Sequence, residues 1–362
     1  MYDEISTPGI VIELQQVEKN LKELVMNNEK YGIHVRPHIK PHKSVFLAKL
    51  QLELGCVGIT CAKISEAEVM ATHGIKDILI AFPLIGKDKM DRLGKLLDNA
   101  YITTIVNSEE GARQLSNLGK KKGTCIRTLI ELDGGTNRGG VKPYEPAVEF
   151  AKRLKDFQGI EIVGIMYYGG QIYTQKTLEG FHSIARKEHD EIIVTAGMLK
   201  KVGCNMEILS GGNSYSARCS KELEGITEVR AGNSIFNDCL TLTTGFATVE
   251  QCALRVVSTI VSIVDENHAI IDAGSKTLTT DLCANRPGYG YVIDRPDITI
   301  TNLNEEHGFI ETSIKLGLNI GDKITIIPNH ACVLPNLADI MYGMKNGILE
   351  HKIPVEARGM NY

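Results

Sequence analysis

The chain has 362 residues, 43% hydrophobic and 23% charged, a composition that excludes a disordered protein and suits a well-filled core. Its length exceeds one ordinary domain and fits a barrel with a smaller companion domain. A formal net charge of −4 and a pI near 6.2 give no electrostatic reason to expect nucleic acid or an anionic membrane as a partner.

The opening MYDEISTPGIVIEL is acidic and carries only a short apolar run, unlike the basic and long apolar regions of a secretory signal. No later stretch approaches the apolar length of a membrane span. The nine cysteines are scattered, without a CxxC pair, which predicts reduced thiols, mostly small buried apolar residues, and a cytoplasmic location.

From about residue 33, β-like runs alternate with amphipathic helical segments. The runs are IHVRPHI, VGITCA, ILIAF, ITTIV, IRTLIEL, IVGIMYY, MEILS and EVRAG. Between them lie segments such as ISEAEVMATHG, EGARQLSNLG and PAVEFAKRLKDF, several ending in glycine as a helix C-terminus does. Such an alternation predicts a (β/α)8 TIM barrel, with an open doubly wound sheet as the alternative. Lys40, Cys61, Asn107, Asp133, Arg138, Tyr168, Ser210 and Arg230 all fall at or just past the C-terminal end of a run. In a barrel, side chains in those places converge on one mouth, which favours the barrel.

After residue 245 the texture becomes β-branched, as in TVEQCALRVVSTIVSIVDENHAIIDAG and GDKITIIPNHACVL. This predicts a mainly antiparallel β domain interrupted by a loop at CANRPGYGYV. The expected division is a barrel over 10–245 and a β domain over 246–362 with 1–9.

In HVRPHIKPHK, strand periodicity puts Arg36, His38, Lys40 and His42 on one face and Val35, Pro37, Ile39 and Pro41 on the other. The prolines place the strand end near Ile39 or Lys40. A cationic face turned into a barrel is costly unless something anionic meets it. Read on these residues alone, the segment is either a solvated basic patch or the seat of a lysine nucleophile.

Other motifs follow in order. ELDGGTNRGG (131–140) contains Asp133 and Arg138, which read as a loop ion pair or as a ligand-facing arginine. YGGQ places Gln171 three residues after Tyr168. SGGNS (210–214) follows the run MEIL, and a glycine-rich turn after a strand exposes N–H groups able to cradle a phosphate. PNHACVLPN (328–336) sets His330 and Cys332 two apart, a spacing at which imidazole and thiolate on an extended strand can share a cation such as Zn2+.

RPHIKPHK, ELDGGTNRGG, SGGNS and PNHACVLPN together resemble landmarks of the D-threonine aldolase and D-serine dehydratase family, whose barrel is of the alanine-racemase type. DAGSK (272–276), EEHG (305–308) and the final ARG (357–359) extend the likeness over nearly the whole chain. The resemblance implies a pyridoxal phosphate (PLP) Schiff base on Lys40, in a segment that includes His38, with Pro41 where the family usually has threonine. It further implies phosphate contacts from Ser210, Gly211, Gly212, Asn213, Gly232 and Asn233. Arg138 would reach the cofactor's phenolate oxygen, Tyr168 would lie near the pyridine ring, and Arg230 would face its nitrogen. His330 and Cys332 would bind Zn2+ or Mn2+.

The implied activity is that of a PLP- and metal-dependent lyase of D-3-hydroxy amino acids, working as a homodimer. Gln171 stands where many aldolases of the family carry a histidine base, and Cys332 where they often carry aspartate. Both departures favour a D-serine dehydratase-like ammonia-lyase, which yields a 2-oxo acid and ammonia. D-threonine aldolase is the alternative. A racemase, with Tyr289 as its second base, and a non-catalytic PLP-binding protein are the remaining readings.

Overall fold

The computed structural model describes residue 2, residues 4–284 and residues 286–362; Asn285 of the CANRPGYGYV loop therefore lies outside the described residues. Two compact units emerge. One gathers residues 22–40, 47–232 and 360–362, and the other the described residues up to Leu21 together with 41–46 and 233–359. The first strand, β1 (Gly9–Glu13), belongs to the second unit.

The next eight strands build the first unit. They are β2 (His34–Val35), β3 (Ile59–Cys61), β4 (Asp77–Ile80), β5 (Tyr101–Val106), β6 (Ile126–Asp133), β7 (Ile160–Tyr168), β8 (Ile208–Gly211) and β9 (Glu228–Val229). All neighbours pair in parallel, in the order β2-β9-β8-β7-β6-β5-β4-β3. The two ends meet through a parallel bridge between His38 and Thr60, where Ile39 N–H donates to Thr60 O at 2.9 Å and Thr60 N–H to Pro37 O at 2.8 Å. The sheet thus closes into a barrel, not an open doubly wound layer.

Helices follow the strands where the pattern predicts them. Glu109–Lys122 shows why: the Ser108 side chain accepts from Gly111 N–H at its start, and Gly123 ends it in the left-handed conformation. Glutamates fill its first turn and lysines its last, matching the helix dipole.

The second unit is a mixed sheet of β1 with β10 (Leu254–Ile263), β11 (His268–Ile271), β12 (Tyr291–Val292), β13 (Ile298–Leu303), β14 (Gly308–Thr312), β15 (Lys323–Ile327), β16 (Ile340–Lys345) and β17 (Ile348–Pro354). Its path runs β13-β14-β11-β10-β1-β16-β17, with β15 joining β10 to β12. Every pairing is antiparallel except β1 with β16. Tyr2, Ile5, Val11, Val257 and Met344 form one core cluster, and Cys239, Cys252, Cys283 and Ile327 another. All nine cysteines are free thiols and six are buried, as the sequence predicts. Among the described residues no helix is long and apolar enough to cross a membrane.

Candidate active site

Period two sorts the barrel strands into an outer face toward the helices and an inner face. Leu79, Ile105, Leu129 and Met166 share that inner face by register and form an apolar cluster with Val163, the extra residue of a bulge in β7. Two residues further along their strands, the same face turns polar at Glu131, Tyr168 and Ser210. The polar end is the C-terminal mouth, where barrel enzymes place their chemistry.

A network of charged and polar groups links the end of β2 with β4, β8 and β9. Arg36 Nε donates to Glu228 Oε2 at 2.7 Å and its Nη1 to Asp77 Oδ1 at 2.6 Å. Ser210 Oγ donates to Glu228 Oε1 at 2.7 Å and accepts from Arg230 Nη1 at 2.7 Å. Arg230 also donates to the carbonyls of Gly211 at 3.2 Å and Tyr167 at 2.6 Å. Only glycine at position 58 lets Arg36 through, because a Cβ there would lie 2.2 Å from Nη1. The anion expected to meet the cationic strand is therefore supplied for Arg36 by the protein's own carboxylates.

The cationic face itself is shorter than the sequence predicts. The chain turns after Ile39, so His42 leaves the strand and belongs to the second unit. There it is buried, its Nδ1 accepts from Ser44 N–H at 3.1 Å, and its ring meets Phe236 edge-on. His38 forms the closing bridge and is half-buried, with Nδ1 3.4 Å from Lys40 N. Lys40 is exposed just past this bridge. Lys43, the competing lysine, is buried in the second unit, with its carbonyl accepting from Ala357 N–H.

Of the two readings of Asp133 and Arg138, the loop ion pair does not form. Asp133 Oδ2 accepts from Lys142 Nζ at 2.6 Å, and its Oδ1 from the N–H groups of Gly135 and Asn137. Burial works against an ionised Asp133, but these donors outweigh it and hold the carboxyl below its ordinary range. Arg138 instead lies exposed over the Tyr168 ring, 4.2 Å from its centroid. Nearby on β6, burial raises the Glu131 carboxyl despite the bond its Oε2 accepts from Asn107 Nδ2 at 2.8 Å. Gln171 sits on the 3-10 turn Gly170–Thr174 with both amide atoms buried.

The SGGNS turn is built from within. Gly212 adopts φ +66, and its N–H donates to Glu188 Oε1 at 2.7 Å. Asn213 N–H donates to Ser216 Oγ at 3.0 Å, while Asn213 Oδ1 accepts from Tyr215 and Ser216 N–H. The Ser210 hydroxyl is committed to Glu228 and Arg230 rather than to a phosphate position. Glu188 is fully buried, and burial lifts its carboxyl well above the ordinary range against the pull of the Gly212 N–H, Ser216 and Arg230. Gly232 closes the barrel unit, and Asn233 opens the next stretch of the second unit, where its Nδ2 donates to Asp238 Oδ2 at 2.7 Å.

In the second unit, His330 and Cys332 lie on the turn after β15, not on the extended strand that the spacing argument assumes, and the Cys332 sulfur favours the protonated ring. His330 Nδ1 lies 3.0 Å from Asp281 Oδ2, and Asp238 Oδ2 accepts from Ala331 N–H between the pair at 3.0 Å. Burial opposes a charged ring. The Cys332 sulfur and the carboxylates of Asp238 and Asp281 outweigh it and lift the imidazole to about 9. An N/S pair in such negative surroundings attracts positive charge, and so fits a divalent cation. Among the described residues no three His, Cys, Asp or Glu side chains form a metal-holding group, so the protein offers a pair.

Glu228, Glu188, Asp238 and Asp281 were not singled out from the sequence. Glu188 had a signal: it shares a helix face with the buried Phe181, Ala185, Ile192 and Leu199. Glu228 and Arg230 alternate in EVR, a charged pair on a barrel strand. Asp281 lies in a loop and had none.

Residues 12–239 match the family model described as "Alanine racemase, N-terminal domain", and residues 253–344 the one described as "Putative serine dehydratase domain". The chain is 30% identical to the 3-hydroxy-D-aspartate aldolase of Paracoccus denitrificans, over 99% of this chain and 94% of that protein. It is 29% identical to the D-threo-3-hydroxyaspartate dehydratase of Delftia sp., over 91% of each. A solved structure of a cysteine-to-alanine variant of D-threo-3-hydroxyaspartate dehydratase, in its metal-free form, superposes with a TM-score of 0.91 at 26% identity, covering 97% of both chains.

Proposed function

We propose, from the premise that this chain belongs to the family joining an alanine racemase N-terminal domain to a serine dehydratase domain, that it is a PLP-dependent lyase of D-3-hydroxy amino acids. Within that class the reading is elimination of water in the manner of a D-serine dehydratase, to a 2-oxo acid and ammonia. Gln171 carries this choice. Its amide can neither take nor release a proton near neutral pH, so it cannot be the base that retro-aldol cleavage requires on the 3-hydroxyl. The Delftia relative, a dehydratase by name, supports the same reading.

The barrel residues fit PLP. Lys40 is the exposed amine at the mouth, whereas Lys43 is buried in the other unit. Arg138 would serve the phenolate oxygen from its seat on Tyr168. Arg230, held by three acceptors, would face the pyridine nitrogen. Because Gly212 and Asn213 direct their N–H groups to protein acceptors, a phosphate at this turn would draw on the backbone at Gly232.

When bound, PLP supplies an electron sink for charge developing at the substrate α-carbon, and a divalent cation on His330 and Cys332 a Lewis acid for the 3-hydroxyl. Lys40 Nζ takes the proton from Cα, and the hydroxyl leaves from Cβ with its bonding pair. The enamine so formed takes up water and loses ammonia, leaving the 2-oxo acid. Burial lowers the Arg230 guanidinium from its ordinary range; facing the pyridine nitrogen, it would keep a proton off that atom and moderate the electron sink.

A second reading, retro-aldol cleavage, is favoured by the Paracoccus relative, an aldolase by name at 30% identity. Incubation of PLP-loaded protein and Zn2+ with D-serine, D-threonine and D-threo-3-hydroxyaspartate separates the two. Pyruvate, 2-oxobutyrate or oxaloacetate with ammonia is the expected outcome. Glycine with an aldehyde would assign the aldolase, and alanine racemisation alone would sink the lyase reading. The homodimer belongs to the same proposal and is checked by sedimentation.

A further inference from the structure

We propose that Asp281 is a positioning residue for the metal site, fixing the ring tautomer of His330 so that Nε2 keeps a free lone pair for the cation. The inference rests on reading His330 and Cys332 as the metal ligands. Asp281 Oδ2 lies 3.0 Å from His330 Nδ1. An ionised carboxylate only accepts, so Nδ1 carries the hydrogen and Nε2 is left as the donor atom for a cation. The carboxylate also makes the imidazole more basic and stops it rotating, as in carboxylate–histidine–metal arrangements.

The surrounding structure is arranged to bring this carboxylate to the ring. Asn329, immediately before His330 and 1% exposed, donates through Nδ2 to Asp281 O at 3.0 Å and to Gly288 O at 2.8 Å. One buried amide thus ties both ends of the 281–288 loop to the residue preceding the ligand. Asp238, fully buried, accepts from Ala331 N–H and so fixes the backbone between His330 and Cys332. The ring and its carboxylate are each anchored through their own backbone. Because no third ligand of the His, Cys, Asp or Glu type completes the pair among the described residues, Asp281 acts from behind the ring.

The test uses the full-length PLP-loaded protein, stripped of metal, with Zn2+ titrated against a chromophoric chelator at pH 7.5. Asp281→Ala is expected to weaken Zn2+ binding by about 10- to 100-fold, with the cofactor absorbance and melting temperature kept. Asp281→Glu restores part of that affinity, and excess Zn2+ restores the turnover of Asp281→Ala, a change in metal requirement rather than in kcat. His330→Ala removes Zn2+ binding altogether. If Asp281→Ala binds Zn2+ as the parent does while His330→Ala does not, the positioning role is wrong. If His330→Ala also binds Zn2+ as the parent does, the ligand assignment beneath it is wrong.

Discussion

At the scale of single residues, Lys40 and Lys43 differ by three positions and by everything else. Lys40 stands exposed past the barrel's closing bridge, while Lys43 is buried with its backbone engaged by Ala357. Lys40→Ala is expected to abolish the cofactor's lysine-bound absorbance and lower turnover by on the order of 10³-fold or more, whereas a Lys43 variant that folds keeps the band. The motif around Lys40 was legible because it is local. Glu188 was legible only as an oddity, an acid on an apolar helix face, since its partner Gly212 is distant in the chain. Folding raises the Glu188 pKa, so the folded state binds that proton more tightly than the unfolded one. Its stabilising share is complete below the ordinary glutamate range and is lost as pH rises through the raised value. Glu188→Gln should therefore gain melting temperature over the parent by more at pH 9 than at pH 5. A gap independent of pH would reject the assignment.

At the scale of elements, each of the eight barrel strands overlaps one of the β-like runs, because period two and glycine punctuation are local signals. What those runs could not show is which charges would meet inside. Arg36 and Glu228 come from strands separated by most of the chain, and their encounter exists only once the barrel closes. Glu228→Ala leaves Ser210 and two buried arginines without this carboxylate and should cost about 3–5 kcal/mol in urea unfolding, with Glu228→Gln milder. The SGGNS turn has a comparable sensitivity. Gly212 is left-handed, and a Cβ there would lie 2.3 Å from Val229 Cγ1, so Gly212→Ala should cost about 1–3 kcal/mol. A smaller loss, with PLP affinity unchanged, would show that the turn adapts.

At the scale of the whole molecule, the proposed cofactor lysine, Lys40, and the proposed metal pair, His330 and Cys332, belong to different compact units. Removing metal with a chelator should therefore lower turnover while leaving the cofactor absorbance at Lys40 in place, and added Zn2+ should restore activity. Simultaneous loss of the band on chelation would contradict that separation. The switch from helical to β-branched texture near residue 245 made a second domain readable. That Pro41–Phe46 and the first strand join residues beyond 233 was not readable, since nothing local distinguishes a strand by the partner it will find.

The placement of β1 between β10 and β16 has a consequence for biosynthesis. Val11 is made long before its two partners, Arg255 on one side and Tyr342 on the other. At about 5–20 residues per second, the intervening stretch of about 330 residues keeps the nascent strand waiting for roughly 15–65 seconds. During that interval its apolar backbone is open to foreign strands, a risk the ribosome and chaperones must cover. Trimming the N-terminus through Glu13 would accordingly remove an interior strand from the sheet, leaving β10 and β16 to face each other across a gap.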